Sequence, residues 1–526
     1  MVKYAWEDIQ PTIELLKTHH EPASEQQIQR IRSFQKTCEF RHLVIDEEIS
    51  AVDDGDCRRS LSLERERVMK QAEMCAASLA PIRRAPPEIL GEIFIWCLPQ
   101  TRHLNVEEAP LILCRVSRFW RYVAESTPQL WCDFSVVEDD LVRRSRFTRF
   151  LLLRQHVISI AKQWVSRAGH HLPLSLRLDK TSAARDLYTA KQLVDEVLIQ
   201  NSARFRTLHL EPPTPSSFNS FFLLPSSHLP SLEHLILKVD RIQRPMLVFQ
   251  SAPHLRHLSI NYCASRYDRI HPFPWSQLTY LEVSSATEEV IWTNVFSQCT
   301  MLQHGIFNVC PDDPPIHRDV PRADVTYPHL HDLDVRFEGT LSELFESFHL
   351  PVLKKLCLRD FIGCHPTEMR HRLPQLDNLA FVGGIMPHIT DLLELASSAS
   401  ELIFSGVDLF NFQALFSSLT PTPGEVPPMP NLTKLSLDIY SRFHGSRFPS
   451  QLFVDMIRTR QPPFPSHLSE CTLAHLWDIT LHTPANRVDA ITVTELAALL
   501  PPLEEKGLVL TWNPSSEAVG YPSAWY

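Results

Sequence analysis

Pro230-Ser231-Leu232-Glu233-His234-Leu235-Ile236-Leu237 places a leucine two residues after a proline, then Leu-x-Leu beginning three residues later. The pattern returns at Pro253-His254-Leu255 with Leu258 and Ile260, at Leu278 with Leu281 and Val283, and at Leu302 with Phe307. It continues at Pro328-His329-Leu330 with Leu333 and Val335, at Pro351-Val352-Leu353 with Leu356 and Leu358, and at Pro374-Gln375-Leu376 with Leu379 and Phe381. A degenerate copy stands at Leu402, and a full one at Pro430-Asn431-Leu432 with Leu435 and Leu437. Successive first leucines are separated by 23, 23, 24, 28, 23, 23, 26 and 30 residues.

That period is close to the one of leucine-rich repeats, in which each copy is a strand followed by a helix or irregular turn. Helical patterns fall in the gaps: Leu341, Leu344, Phe345 and Phe348; Ile389, Leu392, Leu393 and Ala396; and Thr494 capping Leu496, Leu499 and Leu500. No single copy can bury its own leucines, so neighbours must stack. The proline sits at strand entry, where a missing N–H is tolerated. The asparagine of regular repeats is mostly absent, so the predicted solenoid is irregular. Leu235, Leu258, Leu281, Leu333, Leu356, Leu379 and Leu435 share one recurring place and are expected to point into the core.

Residues alternating with those leucines should point the other way, onto one concave sheet. They are His234, Ile236 and Lys238; His257, Ser259 and Asn261; Tyr280, Glu282 and Ser284; Asp332, Asp334 and Arg336; and Lys355, Cys357 and Arg359. The set carries both charge signs and few apolar members, which suits a folded protein or a peptide. His234, Lys238, His257, Asn261, Tyr280, Glu282, Asp332, Asp334, Arg336, Lys355 and Arg359 are the candidate substrate-binding residues. The alternative is a merely solvated sheet, with partners bound by the loops or by the stretch after Pro501.

Before the repeats the texture is helical. Ser24 with Gln27 makes a capping box ahead of Ile28, Ile31, Cys38, Ile45, Ile49 and Val52, a ladder with Gln35 and His42 as polar rungs. Asp53-Asp54-Gly55-Asp56 interrupts it, and Leu61, Val68, Ala72, Cys75, Leu79 and Ile82 form a second ladder. Residues 1–80 therefore read as a helical hairpin packed on its neighbour or as a coiled coil. Residues 81–134 read as a small helical unit. Pro86-Pro87-Glu88 suits a helix start, and Ile89, Leu90, Ile93, Phe94 and Cys97 give one apolar face ended by Pro99. A second helix opens at Ala109-Pro110, carries Leu111, Ile112, Val116, Phe119, Trp120 and Val123, and ends at Pro128, before Leu130-Trp131. Residues 135–171 hold a linking helix over 140–167 with Arg143, Arg144, Arg146, Arg149 and Arg154, read as a solvated face or a contact for an acidic partner. The repeat region is 172–526, and the fold class is α+β or α/β repeat.

Bulk properties narrow the function. The chain of 526 residues carries 51 Lys+Arg against 61 Asp+Glu, a formal charge of −10. This argues against nucleic acid as the main partner, which demands a basic footprint. No run is long and apolar enough for a membrane span, and the first 30 residues, broken by Pro11 and Pro22, hold no apolar signal core. Twelve scattered cysteines without a CxxC suit a reducing compartment, so an intracellular protein, cytoplasmic or nuclear and not secreted, is expected. The Asn431-Leu432-Thr433 sequon carries little weight in that setting. Twenty-five histidines include the pairs His19-His20 and His170-His171, but no HExxH or Cys/His quartet. Neither a phosphate loop nor a GxSxG elbow is present. No metal, no cofactor and no catalytic residue is expected.

Residues 81–134 resemble the F-box, in the form found among mushroom-type (basidiomycete) fungi. The resemblance rests on two separated blocks in the same order and spacing. The first is Pro81-Ile82-Arg83-Arg84-Ala85-Pro86-Pro87-Glu88-Ile89-Leu90-Gly91-Glu92-Ile93-Phe94 with Cys97-Leu98-Pro99. The second is Ala109-Pro110-Leu111-Ile112-Leu113, Val116, Trp120-Arg121, Ser126-Thr127-Pro128 and Leu130-Trp131. Ala85 stands where that family has leucine, and Ser117 where it has cysteine. The resemblance implies the substrate-recognition subunit of a cullin–RING ubiquitin ligase, with a Skp-type adaptor and cullin as partners and an unknown protein as substrate. It implies adaptor contact by Pro86, Pro87, Glu88, Ile89, Leu90, Ile93, Phe94, Leu111, Val116 and Trp120, with the repeats holding the substrate. The chain itself does no chemistry in this scheme and acts by raising local concentration. The competing reading is a non-catalytic repeat scaffold whose F-box is degenerate.

Overall fold

A computed structural model describes residues 2–18, 23–100, 104, 107–136, 150–178, 191–211, 215–239, 246–261, 272–310, 325–337, 348–360, 376–383, 393, 397–405, 412–422, 428–438, 448–461, 473–484, 490–505 and 507–515. The arginine-rich stretch up to Arg149, the helical patterns at 341–347 and 389–392, and His19-His20 lie outside the described residues. The chain divides into two units, Met1–Arg204 and Phe205–Tyr526.

The first unit opens with α1 (Val2–Thr18), α2 (Glu25–Ala51) and α3 (Gly55–Leu79). Pro11 lies inside α1 rather than breaking it. Ile13 two residues on is fully buried and Trp6 packs against the same core, its ring 5.6 Å from that of Phe34, and that packing offsets the lost backbone bond. Ser24 Oγ accepts from the Gln27 N–H and the Gln27 side chain accepts from the Ser24 N–H, at 3.3 and 2.8 Å, closing the capping box that starts α2. Asp54 caps α3 through the N–H groups of Asp56 and Cys57, so the acidic stretch starts a helix as well as ending one. Ile13, Ile31, Phe34, Cys38, Ile45, Val68 and Cys75 form one core across the three helices. Phe34 fills the layer for which sequence spacing offers Gln35, and Gln35 instead bonds Glu39. Arg41 reaches both Glu48 and Glu64, at 3.0 and 3.2 Å, tying α2 to α3.

A 3₁₀ turn at Pro81–Arg84 leads to α4 (Pro87–Trp96). The expected single second helix is instead two, α5 (Leu113–Val116) and α6 (Arg118–Glu125). Ser117 between them is extended, and its Oγ accepts the Trp120 N–H at 3.1 Å, so the residue that departs from the F-box pattern is the N-cap of α6. Trp131 is fully buried, donates to the Ala124 carbonyl at 2.8 Å and meets Trp164 edge-on. Trp164 belongs to α7 (Phe150–Arg167), which lies between β1 (Asp133–Val136) and β2 (Leu174–Leu178), two parallel partners. The first strand expected of the repeats thus pairs within the first unit.

In the second unit the strands are β3 (Phe205–Leu210), β4 (His234–Lys238), β5 (His257–Asn261), β6 (Tyr280–Glu288), β7 (His304–Cys310), β8 (Val325–Thr326), β9 (Asp332–Phe337) and β10 (Phe348–His349). They continue with β11 (Lys355–Arg359), β12 (Asn378–Val382), β13 (Glu401–Ser405), β14 (Lys434–Asp438), β15 (Asp478–Pro484) and β16 (Val509–Ser515). All but β8 and β10, which pair with each other, join one parallel sheet in chain order. This mixed helix and parallel-strand architecture is consistent with a leucine-rich-repeat-like solenoid.

Register turns the repeat into a column of side chains. Leu208, Leu235, Leu258, Leu281, Gly305, Leu333, Leu356, Leu379, Leu402, Leu435 and Ile479 lie side by side across the sheet. All the side chains in that column are buried. The seven leucines assigned to the core from sequence are among them. Leu402 aligns with Leu379 and Leu435, so it is the strand leucine of its copy and not the entry leucine. Its entry place is taken by buried Ala399, three residues earlier as Leu376 is to Leu379. Copies at Phe205-Leu208-Leu210 and Leu476-Ile479-Leu481 extend the series beyond those found from sequence. The helix Ala490–Leu499 begins before Thr494, which therefore does not cap it.

Gly305 occupies a leucine position for a steric reason. A Cβ there would stand 2.6 Å from the Phe307 ring and 3.3 Å from both Leu302 and Leu333. Phe307 cannot yield, because Trp292 and Phe296 of α8 (Glu289–Gln298) meet its ring edge-on. Phe296 in turn stacks on Tyr327, whose hydroxyl donates to the Phe296 carbonyl at 2.7 Å. Further on, α9 (Phe412–Leu419) and α10 (Ser450–Thr459) lead to Arg460, which is fully buried without a carboxylate. Its guanidinium donates to the carbonyls of Leu419, Met429 and Pro428 at 2.7, 3.0 and 3.1 Å. Among the described residues no helix is long and apolar enough to cross a membrane.

Restoring the repeat letter at Gly305 should harm the protein. Gly305→Leu is expected to destabilise the second unit by about 1–3 kcal/mol or more through overpacking, read as a lowered denaturant midpoint. An unchanged midpoint would mean that Phe307 does not fill this place. Leu258→Asp, which buries an unpaired charge, should lower it further.

Candidate functional site

Two surfaces carry the residues singled out from sequence, one in each unit. On the first, Pro86 precedes α4 and its carbonyl accepts from the Leu90 N–H at 3.0 Å, while Pro87 occupies the first turn, where no N–H partner is needed. The apolar letters of this helix divide between two faces. Leu90 and Phe94 are wholly buried, and Phe94 packs on the half-buried Trp120 ring at 4.9 Å. These three residues hold the unit together. Gly91 faces Thr127 so closely that a Cβ would lie 3.1 Å from its hydroxyl.

The opposite face is open. Ile89, Ile93 and Trp96, at helical spacing along one strip, are 53, 38 and 88% exposed. Pro86, Pro87 and Glu88 are exposed beside the helix start, Leu111 is half-buried, and Val116 is exposed with its neighbour Ile112. Of the ten residues expected to contact an adaptor, Leu90 and Phe94 therefore serve the core. Trp96 and Ile112 are further exposed apolar side chains of this unit, and the period of α4 alone points to Trp96, three residues after Ile93. Ala85, half-buried, follows the 3₁₀ turn.

On the second surface the parallel register sets the outward residues in rows. One row runs His234, His257, Tyr280, His304, Asp332, Lys355, Asn378, Glu401, Lys434 and Asp478. The next runs Ile236, Ser259, Glu282, Ile306, Asp334, Cys357 and Ala380. The candidates from sequence are thus brought together, with Lys238 opposite Asn261 and Arg336 opposite Arg359 at the strand ends. Ser259 and Cys357 are buried despite facing outward, and burial pushes the Cys357 thiol up from its ordinary range.

Two textures share this face. Over β7 to β11 the charges neutralise one another. Arg359 grips Asp334 through two bonds of 2.6 and 2.7 Å, Arg336 pairs with Asp360 at 2.7 Å, and His304 bonds Asp332 at 2.9 Å. Over β4 to β6 there are rings: His257 stacks on Tyr280 with centroids 3.8 Å apart, and His234 lies 5.3 Å from His257. Burial, and then the neighbouring His234, depress the His257 pKa to about 4, outweighing the pull of Glu282. Among the described residues, no group of His, Cys, Asp or Glu is placed to hold a metal ion.

No protein-family model matches the chain, and no curated protein matches it. Among solved structures, a leucine-rich-repeat protein of Leptospira interrogans is similar over 61% of this chain and 80% of its own, at 15% identity and a TM-score of 0.25.

The His257 ring makes stability pH-dependent. Its folded pKa of about 4 lies below the ordinary 6.5, so unfolding takes up a proton between these values. Stability should therefore fall as pH drops from 6.5 toward 4, and this group should contribute no further change below that. The loss is on the order of 1–2 kcal/mol once solvent screening of a half-buried ring is allowed for. Denaturant midpoints measured across this range should flatten in His257→Gln. An equally steep profile in the variant would assign the effect elsewhere.

Proposed function

We propose that the chain is a substrate receptor of a cullin–RING ubiquitin ligase, docking a Skp-type adaptor through residues 81–134 and holding a protein substrate on the repeat sheet. The observation that carries this reading is the open strip Ile89–Ile93–Trp96 on a helix whose other face, Leu90 and Phe94, is already satisfied. Exposed large apolar side chains grouped on one helix face mark interaction sites, and a tryptophan at the centre of a patch is a frequent hot spot. The sequence blocks of residues 81–134, with the Pro86-Pro87-Glu88 helix start, supply the identity of the partner through their resemblance to the F-box. The cap made by Ser117 supports the reading too: this departure from the pattern serves the local fold rather than marking decay.

The test separates docking from folding. Ile93→Ser with Trp96→Ser should abolish capture of a purified Skp-type adaptor, a loss of tenfold or more for removing hot-spot side chains, while the thermal midpoint holds. Leu90→Ala should instead lower the midpoint, by about 2–5 kcal/mol of stability. Adaptor capture undiminished in the double variant, or absent in the wild-type chain, would leave the repeat scaffold as the surviving function.

A further inference from the structure

The acidic groups on the outward sheet face are matched in most places. Glu211 is held by Lys238 at 2.7 Å and His209 at 3.0 Å. Asp332 has His304, Asp334 has Arg359, and Asp360 has Arg336. Asp478 lies 3.9 Å from Lys434. Glu401 takes the Asn378 amide and has Lys434 as its register neighbour.

Glu282 is different. Its carboxylate is held by three hydroxyls: Ser259 donates to Oε2 at 2.8 Å, Ser284 donates to Oε1 at 2.8 Å, and Tyr280 reaches Oε2 at 3.4 Å. Its register neighbours are Ser259 and Ile306, and its neighbours along the strand face are Tyr280 and Ser284. None of these is basic. The histidines on the flanking strands are His257, held neutral in its stack, and His304, engaged by Asp332. Glu282 is half-buried, so its charge is partly desolvated, and hydroxyls orient such a charge without neutralising it. The long Tyr280 contact lies outside the usual O–H···O range and leaves capacity on Oε2 for another donor.

We propose that Glu282 receives a lysine or arginine side chain of the protein substrate; this rests on the reading of the repeat sheet as the substrate surface. The surroundings fit that occupant. Ile306, the register neighbour of Glu282, lies alongside for the aliphatic stem. An acidic partner fits poorly, because Lys238, Arg336, Arg359 and Lys434 each already face a carboxylate. The Ser259 and Ser284 hydroxyls act as positioning groups, holding the carboxylate outward so that little ordering remains on binding.

The experiment selects randomised displayed peptides on the immobilised full chain, then measures synthetic versions by fluorescence anisotropy. Enrichment of a lysine or arginine at one fixed place is expected. Replacing that arginine by citrulline, or acetylating that lysine, should weaken binding about tenfold, as expected when one partner of a desolvated charge pair is removed. Glu282→Gln should bind the native peptide about tenfold more weakly and the uncharged peptide unchanged. Glu401→Gln should match wild type. The proposal is overturned by a consensus without a basic residue, by failure to enrich any peptide, or by indifference to both the citrulline or acetyl-lysine peptide and Glu282→Gln. Adaptor capture by the Glu282→Gln chain is measured in parallel. Capture with no basic preference sinks this assignment alone, whereas a basic preference without capture sinks only the ligase reading.

Discussion

Each copy of the repeat leaves a leucine face that only its two neighbours can cover, so the strands of the second unit stand or fall by stacking in register. The backbone supplies the register. One residue ahead of the strands, an N–H donates to the equivalent carbonyl of the preceding copy: Glu233 to Arg206, Arg256 to Glu233, Thr279 to Arg256, Gln303 to Thr279, and so on to Trp477 on Thr433. Because these bonds involve no side chain, the position tolerates arginine, threonine, histidine, aspartate and tryptophan alike. That tolerance leaves leucines, and in several copies an entry proline, as the sequence signature.

Once the ladder is set, the core adapts locally. Gly305 gives way to the Phe307 ring because α8 brings Trp292 and Phe296 against that strand. Ala399 stands in for an entry leucine. Arg460 fills a gap between helix ends and loops with three carbonyl bonds instead of a carboxylate, and burial lowers its pKa to about 10. A buried guanidinium is tolerable there because its donors are met by partial charges fixed in direction by the backbone. Gly383, just after β12, has a positive φ that L side chains rarely adopt, and an added Cβ would meet the Asp360 carboxylate, so a substitution there is strained.

The outward face inherits its order from the same register. Side chains that are 23 or more residues apart in sequence become immediate neighbours, so charges meet across strands and rings stack across strands. Most of the candidate charges on this face are consequently spent on one another, as in the Arg359–Asp334 fork. What is left unmatched is a hydroxyl-oriented carboxylate, Glu282, beside stacked rings. In the first unit the corresponding division is between the two sides of α4, where four-residue spacing sets Leu90 and Phe94 inside and Ile89 and Ile93 outside.

Much of this was legible in the chain itself. Leucine spacing determined the parallel repeat, the Ser24–Gln27 box determined the start of α2, and alternation determined which side chains face outward, because period and capping are local properties. The missed elements have equally physical causes. Phe34 replaces a polar rung because packing across three helices selects it, and Ser117 splits an expected helix because its hydroxyl caps better than it propagates. The copies at Leu208 and Ile479 lack the entry proline, and each replaces a repeat leucine, with Phe205 in the one and Ile479 in the other. Which apolar face of α4 is core, which acidic groups are already neutralised, and why one leucine place needs glycine were decided only by the tertiary structure. Each depends on residues far apart in sequence meeting at a few ångströms, and no local pattern encodes that distance.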